Sequence, residues 1–390
     1  MTHIKVAVVG AGGQLGSNLL FRFNRHPNIH AWGICRNELT AAALRMHGFE
    51  VRCGSIADHA TTPALLDDSQ VIVYCAAAGG MPAHARAGNE RVIDGLLRAT
   101  GQRRIIFFSS VAVYGSCIDV TRNTFENPRP DWVSGIEKLH LERYFMRSLR
   151  RSQHAGVVVR VGHVYGAGQW LSRAVLSMLS DDKRNLPFDG HLASNAVHVN
   201  NVAAGIEQLA WHWLKPGVYN LFDQPDSTWR AIFDWHSRTL GLDPITSSEE
   251  ADSEHWRNYY RRRSTSPLVV RAVRDFHQWT RALPRSFLNE CFWAKQFGIS
   301  LLARFQLKTL ERRALLAQSR ASLPVEISDR ITPEPYLFCD AAPGPRLHYD
   351  WAVSEDDARA MANWYRRYSS PDSILDWEAA YGNTKAFLPD

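Results

Sequence analysis

The chain has 390 residues, of which 45% are hydrophobic and 22% charged, and it carries a formal net charge of +6. This is an ordinary globular balance in a chain long enough for one large domain or two lobes. No apolar run reaches the roughly 18 residues of a membrane span, the six cysteines show no metal spacing, and no repeat or low-complexity tract is present, so a reduced cytoplasmic protein is the expectation.

Ile4 to Val9 is a β-branched run that ends in glycines, and Leu15 to Phe23 follows with a helical apolar pattern. The spacing predicts a strand, a tight turn and a helix, not a signal peptide. Ile29 to Cys35 reads as the second strand, with Val71 to Cys75 and Ile105 to Phe108 as further buried strands and a helix from about Gly88 to Thr100 between them. Asp131 to Arg143 has helical spacing and carries Ser134, Lys138 and Glu142 one turn apart on one face. Val157 to Val161 is another strand, and Gly162 to Gly166 reads as a turn. Val197 to Ala203 reads as a strand passing into a helix, Gly217 to Leu221 as the next strand, and Ser354 to Tyr365 as a closing helix. Alternating strands and helices predict an α/β fold with a doubly wound parallel sheet covered on both faces.

Three stretches carry the chemistry. They are Gly10-Ala11-Gly12-Gly13-Gln14-Leu15-Gly16, Ser109-Ser110-Val111-Ala112-Val113-Tyr114-Gly115, and the helix bearing Lys138. Glycines directly after a strand and opening a helix permit a tight turn, let backbone approach a pyrophosphate, and place it on the helix N-terminus. Together these stretches resemble the extended short-chain dehydrogenase/reductase family, the NAD-dependent epimerase/dehydratases of nucleotide sugars. The resemblance covers residues 1 to about 245 and about 335 to 368. It implies a Rossmann-like NAD(P)-binding domain over 1–165, to which later segments return. It also implies a smaller mixed α/β substrate-side lobe over 166–390, enlarged by a helical insert at about 250–325.

The resemblance further implies cofactor contacts at Gly10, Gly13, Gln14, Leu15, Gly16, Asp58, Ala76, Ala77, Ala78, Asn89, Lys138 and Arg160. The second strand ends in Cys35-Arg36-Asn37. An acid there would hold the ribose 2′-hydroxyl of NAD, whereas an Arg suits the 2′-phosphate of NADP. Arg36 therefore favours NADP over NAD, although it also fits a solvated surface charge.

In this family a Tyr four residues before the Lys is the acid/base, the Lys lowers its pKa, and an upstream Ser/Thr holds the substrate oxygen. Ser110 and Lys138 match, but Ser134 stands where the Tyr is expected. A serine hydroxyl is a weaker acid than a phenol and shorter by a ring. Three readings follow. The first is a redox enzyme in which Tyr114, Tyr165, His163, His198 or a water supplies the proton. The second is a dinucleotide-binding sensor or assembly protein without redox turnover. The third is other chemistry through a Ser134–Lys138 nucleophile and base. His163 also replaces an Asn of the family, and Asn200 or Asn201 an Asp.

The positive charge is concentrated. Between Arg257 and Arg313 lie thirteen Lys/Arg and three Asp/Glu, which leaves the remainder at about −4. Trp256, Tyr259, Tyr260, Trp279 and Trp293 interleave with those arginines. Such a segment suits a nucleotide-diphosphate sugar, an anionic membrane surface, or solvated helices packed on the sheet. No nucleic-acid motif is present, and the resemblance implies a possible homodimer.

Overall fold

The structure is a computed structural model that describes residues 3–36, 38–58, 60–76, 82–115, 128, 130, 133–179, 190–223, 227–244 and 355–368. The basic insert, Ala77, Ala78, Cys117, Cys291 and Cys339 lie outside the described residues.

The first half alternates regularly: β1 (Ile4–Val9), α1 (Gln14–Arg25), β2 (Ile29–Cys35), α2 (Glu38–Met46), β3 (Val51–Cys53), α3 (Thr62–Leu66), β4 (Val71–Tyr74), α4 (Pro82–Leu97) and β5 (Arg104–Ser110). A 3₁₀ turn (Val111–Tyr114) leads to α5 (Val133–Leu149), β6 (Ala155–Val161), β7 (His163–Tyr165), α6 (Trp170–Leu179), β8 (Ala196–His198), α7 (Val199–Trp211), β9 (Gly217–Leu221), α8 (Trp229–Leu240) and α9 (Glu355–Tyr368). The main sheet has seven strands in the order β3-β2-β1-β4-β5-β6-β9, and every pairing in it is parallel. The predicted α/β doubly wound sheet is thus present, with its order reversing between β1 and β4.

Strand alternation builds two apolar layers. Val6, Val8, Val71, Val73, Ile106 and Val157 meet Leu19, Leu20 and Phe23 of α1 and Val202 and Ile206 of α7 on one face. Ala7, Val9, Ile72, Ile105, Phe107 and Val158 meet Ile93 and Leu96 of α4 and Leu141 and Phe145 of α5 on the other. Ion pairs rim both layers: Arg22 with Glu207 between α1 and α7, and Arg86 with Glu137 between α4 and α5.

Several local expectations change. Gly162 to Gly166 is not simply a turn: His163–Tyr165 forms β7, which pairs in parallel with β8 as a separate two-stranded sheet. The His163 amide donates to the Asn195 carbonyl, drawing this segment off the main sheet. Helix α4 begins at Pro82, six residues before Gly88, because proline suits the first helical position. The short β3 was hidden by its length, at three residues. β5 runs one residue further back and two further forward than its apolar core.

The smaller lobe packs α6, α8 and β7–β8 around Tyr165, Val175, Trp229 and Phe233. Asp223 is its polar anchor. The carboxylate accepts from the Tyr165 hydroxyl at 3.2 Å, the His198 amide at 2.9 Å and Asn201 Nδ2 at 2.9 Å. His236 Nδ1 faces the Ile232 carbonyl at 2.7 Å and so must carry the proton. Its Nε2 then accepts from Ser172 Oγ at 2.8 Å. Burial pushes His163, His198 and His236 down to about 4. A free histidine titrates near 6.5. Between these values the unfolded chain takes up protons that the folded chain refuses, so stability falls as pH drops through that window. The melting temperature should decline steadily from pH 6.5 to 4.5, and His236→Gln should flatten the decline. A parent curve that is level across this range would contradict the buried neutral histidines.

Candidate functional site

Parallel strands of a doubly wound sheet present their carboxyl ends along one edge, and the crevice there is the expected ligand site. Gly10 follows β1 directly at a φ of +91°, where a side chain would be strained. A Cβ at Gly10 would also lie 2.7 Å from the Ala76 backbone nitrogen, just past β4. At Gly16 a Cβ would strike the Gly10 carbonyl oxygen. The turn is therefore as tight as two strands and a helix allow. Gly13 caps α1 with extended backbone, no side chain caps the helix, and its first turn holds no acid. The amides and dipole of that turn suit an anion such as a pyrophosphate, and Gln14 and Leu15 open it. These residues fit a dinucleotide.

The next groups line the same edge. Arg36 is exposed directly after β2. Asp58 is exposed after β3, and its Oδ1 accepts from the Ala60 amide at 3.1 Å. Asn89 is buried on α4 and accepts from the Tyr74 hydroxyl at 3.2 Å. Ser110 ends β5 half-buried. Its Oγ accepts from the Ala112 amide at 3.2 Å, which leaves the hydroxyl proton available for donation. Helix α5 presses on this turn through Gly135, where a Cβ would collide with the Ala112 carbonyl. Lys138 is half-buried two turns into α5, and burial lowers its pKa while the neighbouring Cys75 acts to raise it. Ser134, a turn earlier, is exposed. His163 is half-buried on β7, whereas His198 and Tyr165 belong to the buried anchor of the smaller lobe.

Beneath Ser110 and Lys138 runs a buried polar network. Glu142, one turn beyond Lys138, accepts from Ser109 Oγ at 3.0 Å and from Arg160 Nε at 3.1 Å, with a second contact to Arg160 Nη2. Arg160 Nη1 donates to the Tyr114 hydroxyl at 2.9 Å, and that hydroxyl donates to Asn220 Oδ1 at 2.8 Å. Burial alone would lower the Arg160 pKa, but Glu142 and Tyr114 reverse this and leave it raised. Burial keeps the Tyr114 phenol above its usual value despite the adjacent guanidinium. The structure thus places Tyr114 and Arg160 under the site floor, each held from more than one side.

Glu142, Ser109 and Asn220 escape a reading for motifs. The signals were an acid one turn beyond Lys138 on the same helix face and an Arg inside the β-branched run Val157–Val161. Removing one member of a buried ion pair costs about 3–5 kcal/mol, whereas replacing both with apolar residues costs far less. Urea unfolding should show Glu142→Met and Arg160→Met each strongly destabilising, and the double variant much less so than their sum. Strict additivity would show that the pair is not coupled.

No curated protein sequence matches the chain. Solved structures do match it in fold. The UDP-glucuronic acid 4-epimerase of Bacillus cereus, in complex with UDP-glucuronic acid and NAD, is 19% identical, with 63% of this chain and 85% of that one covered at a TM-score of 0.51. The UDP-glucose 4-epimerase of Thermotoga maritima with UDP-glucose is 18% identical over 63% and 85%, also at 0.51. The dTDP-glucose 4,6-dehydratase of Bacillus anthracis, in complex with NAD, is 19% identical over 63% and 84%, again at 0.51. A sequence profile matches residues 6–221, more than half of the chain and the whole of the seven-stranded sheet beyond the first two residues of β1. On that match the chain belongs to the NAD dependent epimerase/dehydratase family.

Proposed function

We propose that this protein binds a nicotinamide dinucleotide along the carboxyl edge of β1, β2, β4 and β5 and acts on a nucleotide sugar or a similar hydroxylated metabolite. The observation that carries the reading is the uncapped, acid-free start of α1 behind the Gly10 turn, with Ser110 and Lys138 on the same edge. The backbone of Gly13, Gln14 and Leu15 would hold the pyrophosphate, and Lys138 would hold ribose hydroxyls. When bound, the nicotinamide supplies a hydride donor or acceptor.

The chain's own residues supply position and protons. Ser110 is suited to hold the substrate oxygen. The Lys138 ammonium favours negative charge developing nearby. Tyr114 and Arg160 we read as structural support, because their polar atoms are committed within the network. Ser134 is a poor proton donor. By ordinary bond lengths its oxygen lies about 2.4 Å from Cα, against about 6.5 Å for a Tyr. The difference of roughly 4 Å leaves room for a water relay. His163, neutral and half-buried, is the other candidate to pass a proton. Ser134 also favours a second reading, a dinucleotide-binding protein without redox turnover.

Arg36 supports NADP, since a charge-assisted hydrogen bond to phosphate is worth about ten-fold in affinity. The expected result is calorimetric binding of NADP more tightly than NAD, equalised by Arg36→Ala and weakened for both by Lys138→Ala. UDP-glucose and UDP-glucuronic acid are the first substrates to assay. With turnover present, Ser134→Ala should lower it by less than about ten-fold. A thousand-fold loss in a folded, dinucleotide-binding Ser134→Ala protein would promote the serine–lysine chemistry. Binding without turnover of any nucleotide sugar selects the second reading, and no dinucleotide binding refutes both.

A further inference from the structure

β2 and β3 end on a pair of thiols. Cys35 and Cys53 are register partners on these adjacent parallel strands, so their side chains leave the sheet on the same face. Both pack against one apolar cluster, and both are free thiols. Register partners on neighbouring strands stand about 4.8 Å apart, inside the roughly 4.4–6.8 Å between the Cα atoms of a disulfide. Cys53 is partly exposed and Cys35 is buried behind it. One thiol is therefore reachable from solvent, and its partner is sheltered within reach.

Each thiol also touches something at the dinucleotide edge. The Cys53 thiol donates to the carboxylate of Glu38, the first residue of α2. The Gly12 amide, inside the glycine turn, donates to the Cys35 sulfur. Arg36 lies directly beside the pair in sequence.

We infer that Cys35 and Cys53 form an oxidative modification site, a reversible disulfide that takes a small-molecule disulfide such as oxidised glutathione as its reactant. The Cys53 thiolate attacks one glutathione sulfur, the glutathione S–S bond breaks, and the first glutathione leaves as a thiol. Cys35, deprotonated in turn, attacks the Cys53 sulfur of the mixed disulfide and expels the second. Two protein thiols become one cystine, one glutathione disulfide becomes two thiols, and the two protein protons end on the two leaving groups. The hydrogen bond to Glu38 raises the Cys53 pKa, and burial raises Cys35 to about 11. Little thiolate is present at neutral pH, so the pair answers a sustained oxidising load and not a brief one. Forming the bridge draws the Cys35 sulfur toward β3 and away from the Gly12 amide. Loss of one such contact corresponds to about five-fold in affinity. This last consequence rests on the dinucleotide reading above; the disulfide itself does not.

The test is incubation of the full chain with oxidised glutathione, followed by peptide mass mapping without reductant and titration with NADP and NAD. The expected result is a linked Cys35–Cys53 peptide, reversible by dithiothreitol, with dinucleotide affinity about five-fold lower in the linked form. Cys53→Ser should abolish both the link and the affinity change, while Cys75→Ser keeps both. Cys53 remaining reduced, or joining Cys117, Cys291 or Cys339 instead, would overturn the site. A correct link with unchanged affinity would overturn its coupling to the turn. A correct link in a protein whose reduced form binds neither dinucleotide supports the site and sinks the functional reading instead.

Discussion

The architecture of the candidate site depends on one buried carboxylate. Glu142 sits on the helix that carries Lys138, yet its oxygens are occupied by Ser109 at the end of β5 and Arg160 on β6. An isolated charge at that depth would be costly, so the helix must adopt the one axial position that meets both partners. That fixes Lys138 one turn away. Through Ser109 it also fixes Ser110, the next residue along. Tyr114 and Asn220 extend the same chain of contacts to the 3₁₀ turn and to β9, so five elements are tied together below the floor of the crevice.

Asp223 has the same part in the smaller lobe. A carboxylate with three donors from Tyr165, His198 and Asn201 joins β7, β8 and the start of α7 to the end of β9. Both anchors hold residues at or near carboxyl ends of strands, where a doubly wound sheet places its ligand. Polar groups buried there are stabilised by one another, and they leave the groups above them free to face a ligand. The division of labour explains why the most heavily bonded residues near the site are not its best chemical candidates.

The sheet was legible because buried parallel strands read as β-branched runs. Ile29–Cys35 and Gly217–Leu221 match their predicted bounds. The glycine turn was legible because its backbone demands are local, and only glycine meets them at Gly10 and Gly16. The short β3 and β7 were not, since three residues give too little alternation to separate a strand from a turn, although β8 was legible as the strand that passes into α7. The Glu142 network was invisible for a different reason. Its members are spread from Ser109 to Asn220, and nothing in local spacing reveals that they meet. Tyr114 and Arg160 drew attention as motif residues, but only three-dimensional contact shows what their polar atoms hold.

The central claim is that the turn from Gly10 to Gly16 and the end of β5 together form a dinucleotide site. Amide hydrogen exchange with and without NADP or NAD tests it directly. The account predicts slower exchange on addition of dinucleotide at Gly12 to Gly16 and around Ser110 to Tyr114, with the strands beneath unchanged. Unaltered exchange in both segments at saturating dinucleotide, or protection confined to other parts of the chain, would contradict it.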